Sequence, residues 1–278
     1  MKTESDRETL DENLEMISAL TAPEEQIQLG GIDKLASHLD NSLDKPVLDA
    51  LIQCLGSRRK TIQRRVADVL AAVAPNDSRV DSALREALES PDFRLRWGAA
   101  YALGKTPHGL DLHACPVLLE ALSSSDGDLR WAAAELLVKM GRVFPAEIRV
   151  ELLGVEQTGN AAARKMALYC LRDLNVGGEE IQSLISRACR SAEPHVRLAA
   201  LSLLGHLGTA SDESADVALQ MLESDSDHGV RRAAASALGR LGYPSSGVCA
   251  ALARAASDPD DGSLRKAAQQ ALAQLEQN

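Results

Sequence analysis

One segment of this chain returns every 33 to 35 residues. It reads Leu95-Arg96-Trp97-Gly98-Ala99-Ala100-Tyr101-Ala102-Leu103-Gly104 in one copy and Val230-Arg231-Arg232-Ala233-Ala234-Ala235-Ser236-Ala237-Leu238-Gly239 in another. Further copies centre on Arg130, Arg164, Arg197 and Arg265, with Gln63 and Gln28 in the same register upstream. A fixed period of this length means one supersecondary unit repeated in a stack, because a single unit cannot bury its apolar face alone. The fold expected is all-α: a right-handed α-solenoid (α-α superhelix) of about eight helix pairs. Residues 10–278 read as a single solenoid and residues 1–9 as a flexible acidic N-terminus.

With the Arg or Gln of each copy as position zero, each copy becomes the second helix of a pair. First helices are expected at 47–55, 80–88, 116–122, 146–153, 179–188, 213–222 and 247–256. The opening pair is less regular, at 10–20 and 26–39. Four residues before most of the Args stands a capping residue: Asp92, Asp126, Asn160, Glu193, Asp227 and Asp261. An oxygen there satisfies free backbone N–H groups and suits the helix dipole. The i, i+4 spacing also predicts an ion pair between acid and Arg. Gly208 and Gly242 read as helix terminators. Position +4 is Ala or Leu in the middle copies and Gln269 in the last, as a terminal repeat with a polar outer side requires.

Hydrophobic residues make up 45% of the chain but aromatics only 3%, so the core is built from Ala, Leu and Val. Ala favours helix and close helix approach. Net charge is −10. Residues 1–25 hold two basic and eight acidic side chains, leaving −4 for the rest. The body is therefore only mildly acidic. Five widely spaced cysteines without a C-x-x-C argue against a disulfide framework or zinc site and for buried thiols in a reducing compartment. No leader-like apolar region opens the sequence, and no run of about 18 apolar residues exists. The expectation is a cytoplasmic protein with no membrane contact.

The repeated L-R-x-x-A-A-x-x-L pattern resembles the short HEAT-like repeats of phycobilisome-lyase-related proteins, over roughly residues 24–277. The resemblance implies architecture more than activity, since such repeats occur in scaffolds, chromophore lyases and a hydroxylase. That hydroxylase holds two irons through His-Glu pairs, and none of the six histidines here is followed by Glu. The resemblance also implies that second helices line a concave surface.

At 100° per residue, positions −1, +3, +6, +7 and +10 of a second helix share the core side, and +1, +5 and +9 point away from it. Four of the chain's seven aromatics fall on this ridge: Trp97, Tyr101, Trp131 and Tyr169. Arg64, Lys105, Glu135, Lys139 and Lys165 fall there too. Trp and Tyr are enriched at binding hot spots. The ridge residues Arg64, Trp97, Tyr101, Lys105, Trp131, Glu135, Lys139, Lys165 and Tyr169 are therefore the candidate partner-binding set, with the lysines suited to acidic groups on the partner. Glu135 is also spaced to balance Lys139. The alternative is that the indoles lie flat as local packing.

Other features weigh less. The basic run Arg58–Arg65 reads as a solvated helix start or as an anion-binding end to the groove. His108, His113 and Asp111 share a loop, which is weak evidence for a metal. No nucleophile elbow, phosphate loop or dinucleotide fingerprint appears. The reading is a non-catalytic scaffold, without cofactor or metal, that binds a partner protein or peptide in its groove. A bilin lyase-like or chromophore-chaperone subunit is the second reading. Nucleic-acid binding, disfavoured by the acidic balance, is the third.

Overall fold

A computed structural model describes residues 4–37, 43–107, 109–208 and 212–277. Among them are sixteen α-helices and no strand. They are α1 (Glu4–Leu20), α2 (Glu25–Ser37), α3 (Lys45–Cys54), α4 (Lys60–Val73), α5 (Ser78–Ala87), α6 (Phe93–Leu103), α7 (Cys115–Leu122) and α8 (Gly127–Gly141). Next come α9 (Pro145–Thr158), α10 (Ala161–Asp173), α11 (Glu179–Ala188), α12 (Pro194–Leu207), α13 (Asp212–Ser224), α14 (His228–Leu241), α15 (Ser246–Ala255) and α16 (Gly262–Leu275). They alternate as first and second helices of eight pairs, making an all-α solenoid fold. The stretch expected to be flexible is helical from Glu4 onward, and residues 1–3 lie outside the described residues. Residues 38 and 39, expected to close α2, lie outside them as well.

The chain divides into two compact units, residues 1–121 and 122–278, each a body in its own right. Within the first, α2 packs on α4 and α4 on α6, while α1 packs on α3 and α3 on α5. Within the second, α8, α10, α12, α14 and α16 form one row, and α13 packs on α15. The second helices approach each other more closely than the first helices do. Small residues permit it. A methyl built on Gly239, at +8, would lie 2.7 Å from Cα of Ala271, at +6 of the next copy, and one on Gly205 would lie 3.1 Å from Cα of Ala237. The columns expected at the core are buried at Val196, Ala200, Leu203 and Leu204 in α12 and at Ala100, Ala134, Leu168, Leu201 and Ala235 at +4, whereas Leu207, at +10 of α12, is half-buried. Gln269, at +4 of the last helix, is exposed.

Caps form where the spacing places them. Asp92, Asp126, Asn160, Asp227 and Asp261 each accept from a backbone N–H in the first turn of their helices, whereas Glu193 makes no side-chain cap. Glu is one methylene too long to fold back as Asp does. Gly208 and Gly242 end α12 and α14 in the left-handed conformation, at φ of 59° and 64°, where a Cβ would be strained.

The zero-column arginines do something other than pair with the acid four residues back. They turn onto backbone carbonyls at the end of the preceding first helix. Arg96 donates to the Ser90 and Pro91 carbonyls at 2.8 and 3.1 Å, Arg130 to Ser124 at 2.6 Å, and Arg197 to Ser191 and Ala192 at 2.8 and 3.1 Å. Arg265 reaches the Asp258 and Pro259 carbonyls, and Arg164 the Glu156 carbonyl. Upstream, Gln28 and Gln63 donate to the Leu20 and Leu55 carbonyls at 2.9 and 2.6 Å. The reason is accounting: carbonyls leaving a helix lack intrahelical donors, and in a tight hairpin water does not replace them all. The acid, meanwhile, is spent on its own helix as the cap.

Several of these side chains also pair with acids. Arg96 meets Glu120 at 2.7 Å, and the buried Arg197 makes two 2.7 Å bonds to Asp225. Burial alone would raise the Asp225 carboxyl, but the Arg197 bonds and the Asp227 N–H outweigh it and hold the group below its ordinary range. A depressed folded-state value stabilises the fold above the unfolded value and is lost as pH falls through the folded one.

Three substitutions test this packing. Gly239→Ala should be destabilising, because overpacking against Ala271 backbone costs about 1–3 kcal/mol, more than the roughly 1 kcal/mol of helix propensity gained. Gly154→Ala, where a methyl meets nothing within 4 Å, should be stabilising; urea midpoints read both. Arg197→Ala should cost about 3–5 kcal/mol at pH 7, since it leaves a buried carboxylate unpaired. That deficit should shrink as pH falls below about 4, and a deficit independent of pH would contradict it.

Candidate protein-binding surface

The +1, +5 and +9 positions lie on the more exposed side of most second helices, as their angular spacing predicts. In the first unit, Arg64, Asp68 and Ala72 of α4 are exposed. Arg64 has no ion-pair partner among the described residues. In the second unit, Trp131, Glu135 and Lys139 of α8 are exposed, and Lys165 and Tyr169 of α10 are half-buried.

Trp97 corrects the ridge reading. It is only 6% exposed, although it stands at +1. Its indole lies down against Tyr101 one turn on, ring centroids 5.9 Å apart and tilted 35°. An indole is long enough to cover its neighbours instead of projecting from them, so the flat-packing alternative holds at this position. The Tyr101 ring in turn carries the Lys105 ammonium 5.2 Å from its centroid, and Lys105 is held at 2.7 Å by Asp68 of α4. The Asp68 bond, foremost, raises the Lys105 value. This lysine is therefore engaged inside the chain and is not a free charge for a partner.

Trp131 behaves differently. It is 52% exposed. One face stacks on Tyr169 of α10, centroids 5.6 Å apart and nearly parallel at 14°. The far side of the stack is closed by Arg172, 4.9 Å from the Tyr169 centroid. Arg172 is fixed by Asp173 at 2.8 Å and by the Ser202 hydroxyl at 3.0 Å. The result is a preset Arg–Tyr–Trp stack with an exposed indole end. Glu135 does not balance Lys139: it has no ion-pair partner among the described residues. Asp68, Arg172 and Asp173 were not singled out from sequence. Arg172 sits three residues after Tyr169, a helical neighbour spacing that signals the contact.

Two arginines of the basic run stitch copies together. Arg59 reaches the Gln28 amide oxygen at 3.2 Å and the Pro23 carbonyl at 2.9 Å, and Arg65 pairs with Asp33 at 2.7 Å. Asp111 caps a 3-10 turn, accepting from the His113 N–H, and pairs with Arg85. His108 lies outside the described residues. Cys54, Cys115, Cys170 and Cys189 are buried thiols, and Cys249 is half-buried. Burial pushes the Cys54 thiol up to about 11, and the Cys170 and Cys189 thiols to about 12. No group of three or more His, Cys, Asp or Glu positioned for a metal occurs among the described residues, and none of their helices is long and apolar enough to cross a membrane.

Comparison with known proteins agrees with this architecture. The sequence profile of HEAT repeats matches residues 48–138, 83–153 and 181–273. Among curated proteins, none is similar enough in sequence to be recognised as a relative. Of solved structures, Kap95p, from a structure with RanGDP, superposes with a TM-score of 0.64 at 13% identity, over 99% of this chain and 41% of its own. Kap121p bound to Nup53p gives 0.60 at 16%, over 98% and 34%. YibA of E. coli gives 0.59 at 14%, over 100% and 99%. The chain thus spans about a third of Kap121p. At these identities the likeness is one of fold.

The contrast between the two tryptophans is measurable. Acrylamide should quench Trp131 and largely spare Trp97, so Trp131→Phe should remove most of the quenchable emission. A variant quenched as strongly as the parent would contradict the assignment.

Proposed function

Because the chain belongs to the HEAT-repeat family, we propose that it is a non-catalytic scaffold that holds a partner protein or peptide on the exposed ridge of its second helices. The exposed Trp131, stacked on Tyr169, carries this reading. A chain with seven aromatics has no reason of packing to leave one indole half in water. Rigid aromatics held in advance by their neighbours lose little entropy on binding, which is why they anchor interfaces. Trp131 and Tyr169 are the anchors, with Glu135, Lys139 and Lys165 as polar contacts beside them. Arg64 and Tyr101 extend the ridge in the first unit. Trp97 and Lys105 support Tyr101 from beneath and beside it.

The surface argues for binding over chemistry. Cys54, Cys170 and Cys189 are buried with thiols pushed far above neutral pH, and the histidines at 113, 195 and 228 lie against carboxylates on the surface. Buried free thiols are also what a reducing, cytoplasmic setting allows. The likeness to Kap121p and Kap95p, both seen with protein partners, supports a protein ligand by analogy of fold alone.

The test is affinity purification from the native host with the parent protein, Trp131→Ala, and Glu151→Ala as an exposed control on α9. The specific partner should be retained by the parent and the control and weakened at least tenfold by Trp131→Ala, the size of a hot-spot loss. Equal retention by all three would overturn the site. Two other readings give different results. Co-expression with a bilin would produce a visible absorbance band if the chain were lyase-like. Recovered nucleic acid would dissociate steeply with added salt.

A further inference from the structure

The two units carry related ridge constellations completed by different cations, Lys105 on Tyr101 in the first and Arg172 on Tyr169 in the second, where Trp131 and Glu135 are left beyond the filled end. In repeats 2 and 3, Asp68 stands at +5 of α4, Tyr101 at +5 of α6 and Lys105 at +9 of α6. The Lys105 ammonium lies over the Tyr101 ring at 5.2 Å and against the Asp68 carboxylate at 2.7 Å. A cation is thus seated between a carboxylate and an aromatic face. In repeats 4 and 5, Glu135 stands at +5 of α8, Tyr169 at +5 of α10, and the +9 position is Asp173. The acid and the aromatic recur, and the cation is replaced by a second acid. Asp173 is bonded to Arg172, while Glu135 has no ion-pair partner among the described residues.

Resting on the scaffold reading above, we infer that this ridge of α8 and α10 is a seat for one cationic side chain of the partner, an Arg or Lys. The cation lies against the exposed part of the Trp131 indole and pairs with Glu135. Two observations on this side of the molecule favour it. The stack already accepts a guanidinium at its closed end, where Arg172 covers Tyr169 at 4.9 Å. The carboxylate lies one helical turn from the indole, within reach of a group resting on the ring.

The neighbours restrict the ligand. Lys139 is one turn beyond Glu135, and Lys165 is one turn before Tyr169. Two ammonium groups flanking one carboxylate disfavour a polybasic run. They suit a single Arg or Lys set between neutral or acidic residues. The sequence expectation of an acidic partner is thereby narrowed: acids belong beside the anchor, and the anchor itself is a cation.

The probe is a pair of short peptides, acetyl-Ala-Glu-Ala-Arg-Ala-Glu-Ala-amide and the same peptide with Gln in place of Arg. They are titrated into the full chain while the two indole N–H resonances are followed by NMR. The Arg peptide should shift the Trp131 resonance and leave Trp97 in place, and should bind at least tenfold more tightly than the Gln peptide. Glu135→Gln should remove that preference, and a hexa-arginine peptide should bind no better than the single-Arg peptide. Glu135 is exposed, so circular dichroism should show an unchanged fold for Glu135→Gln. Equal binding of the Arg and Gln peptides overturns the seat, as does an unmoved Trp131 at millimolar peptide. Tighter binding of hexa-arginine, or of a single-stranded oligonucleotide, overturns it too. If the seat fails while Trp131→Ala still loses the native partner, the scaffold reading stands. If Trp131 is silent in both experiments, both readings fall.

Discussion

The bond on which the repeat depends is the one that zero-column side chains, all but Arg231, make to the carbonyls that end the preceding helix. Every hairpin in a helical stack leaves carbonyl oxygens without donors at the point where the chain must turn most tightly. Arg96, Arg130, Arg197 and Arg265 supply those donors from the next helix, so the turn and the helix pair are fixed by one side chain. Gln28 and Gln63 do the same with one amide in place of a guanidinium. The remaining N–H groups of the Arg fork then reach further, as Arg197 does to Asp225. Arg231 is the irregular member: it turns to the His228 ring at 2.9 Å, and its Nε is buried with no partner among the described residues.

From that fixed pair the rest follows by packing. The pairs stack through Ala and Gly columns, and the close approach of the second helices comes from the smallest side chains in the motif. Gly239 against Ala271 is the tightest example, where no methyl fits without backbone movement. Residues that face neither their own pair nor the next copy are left as a ridge. Binding is read from this ridge because the fold spends no packing requirement there. Aromatics at such positions are unexplained by the core, which Ala, Leu and Val already fill.

Much of the architecture was legible in the sequence. The period, the eight pairs, the Asp and Asn caps and the two terminating glycines all depend on local chemistry, which a single chain states directly. Glu193 shows the limit: it occupies the capping column, yet its extra methylene leaves the cap unmade. The acid–Arg ladder was misassigned for a related reason. Spacing of i, i+4 says which side chains are near one another, but not that a carbonyl with no other donor competes more strongly for the Arg.

The ridge divides in the same way. Sequence alone determined which residues leave the core side, because helical angle is a property of position. It could not determine that Trp97 would lie down under Tyr101 while Trp131 would stay half in water. Nor could it show that Lys105 is already claimed by Asp68, or that Glu135 is not. Those outcomes depend on partners in the adjacent helix, brought within a few ångströms only by stacking. The sequence therefore set the frame of the molecule and its exposed face. The tertiary structure decided which groups on that face are spent on neighbours and which remain to meet another molecule.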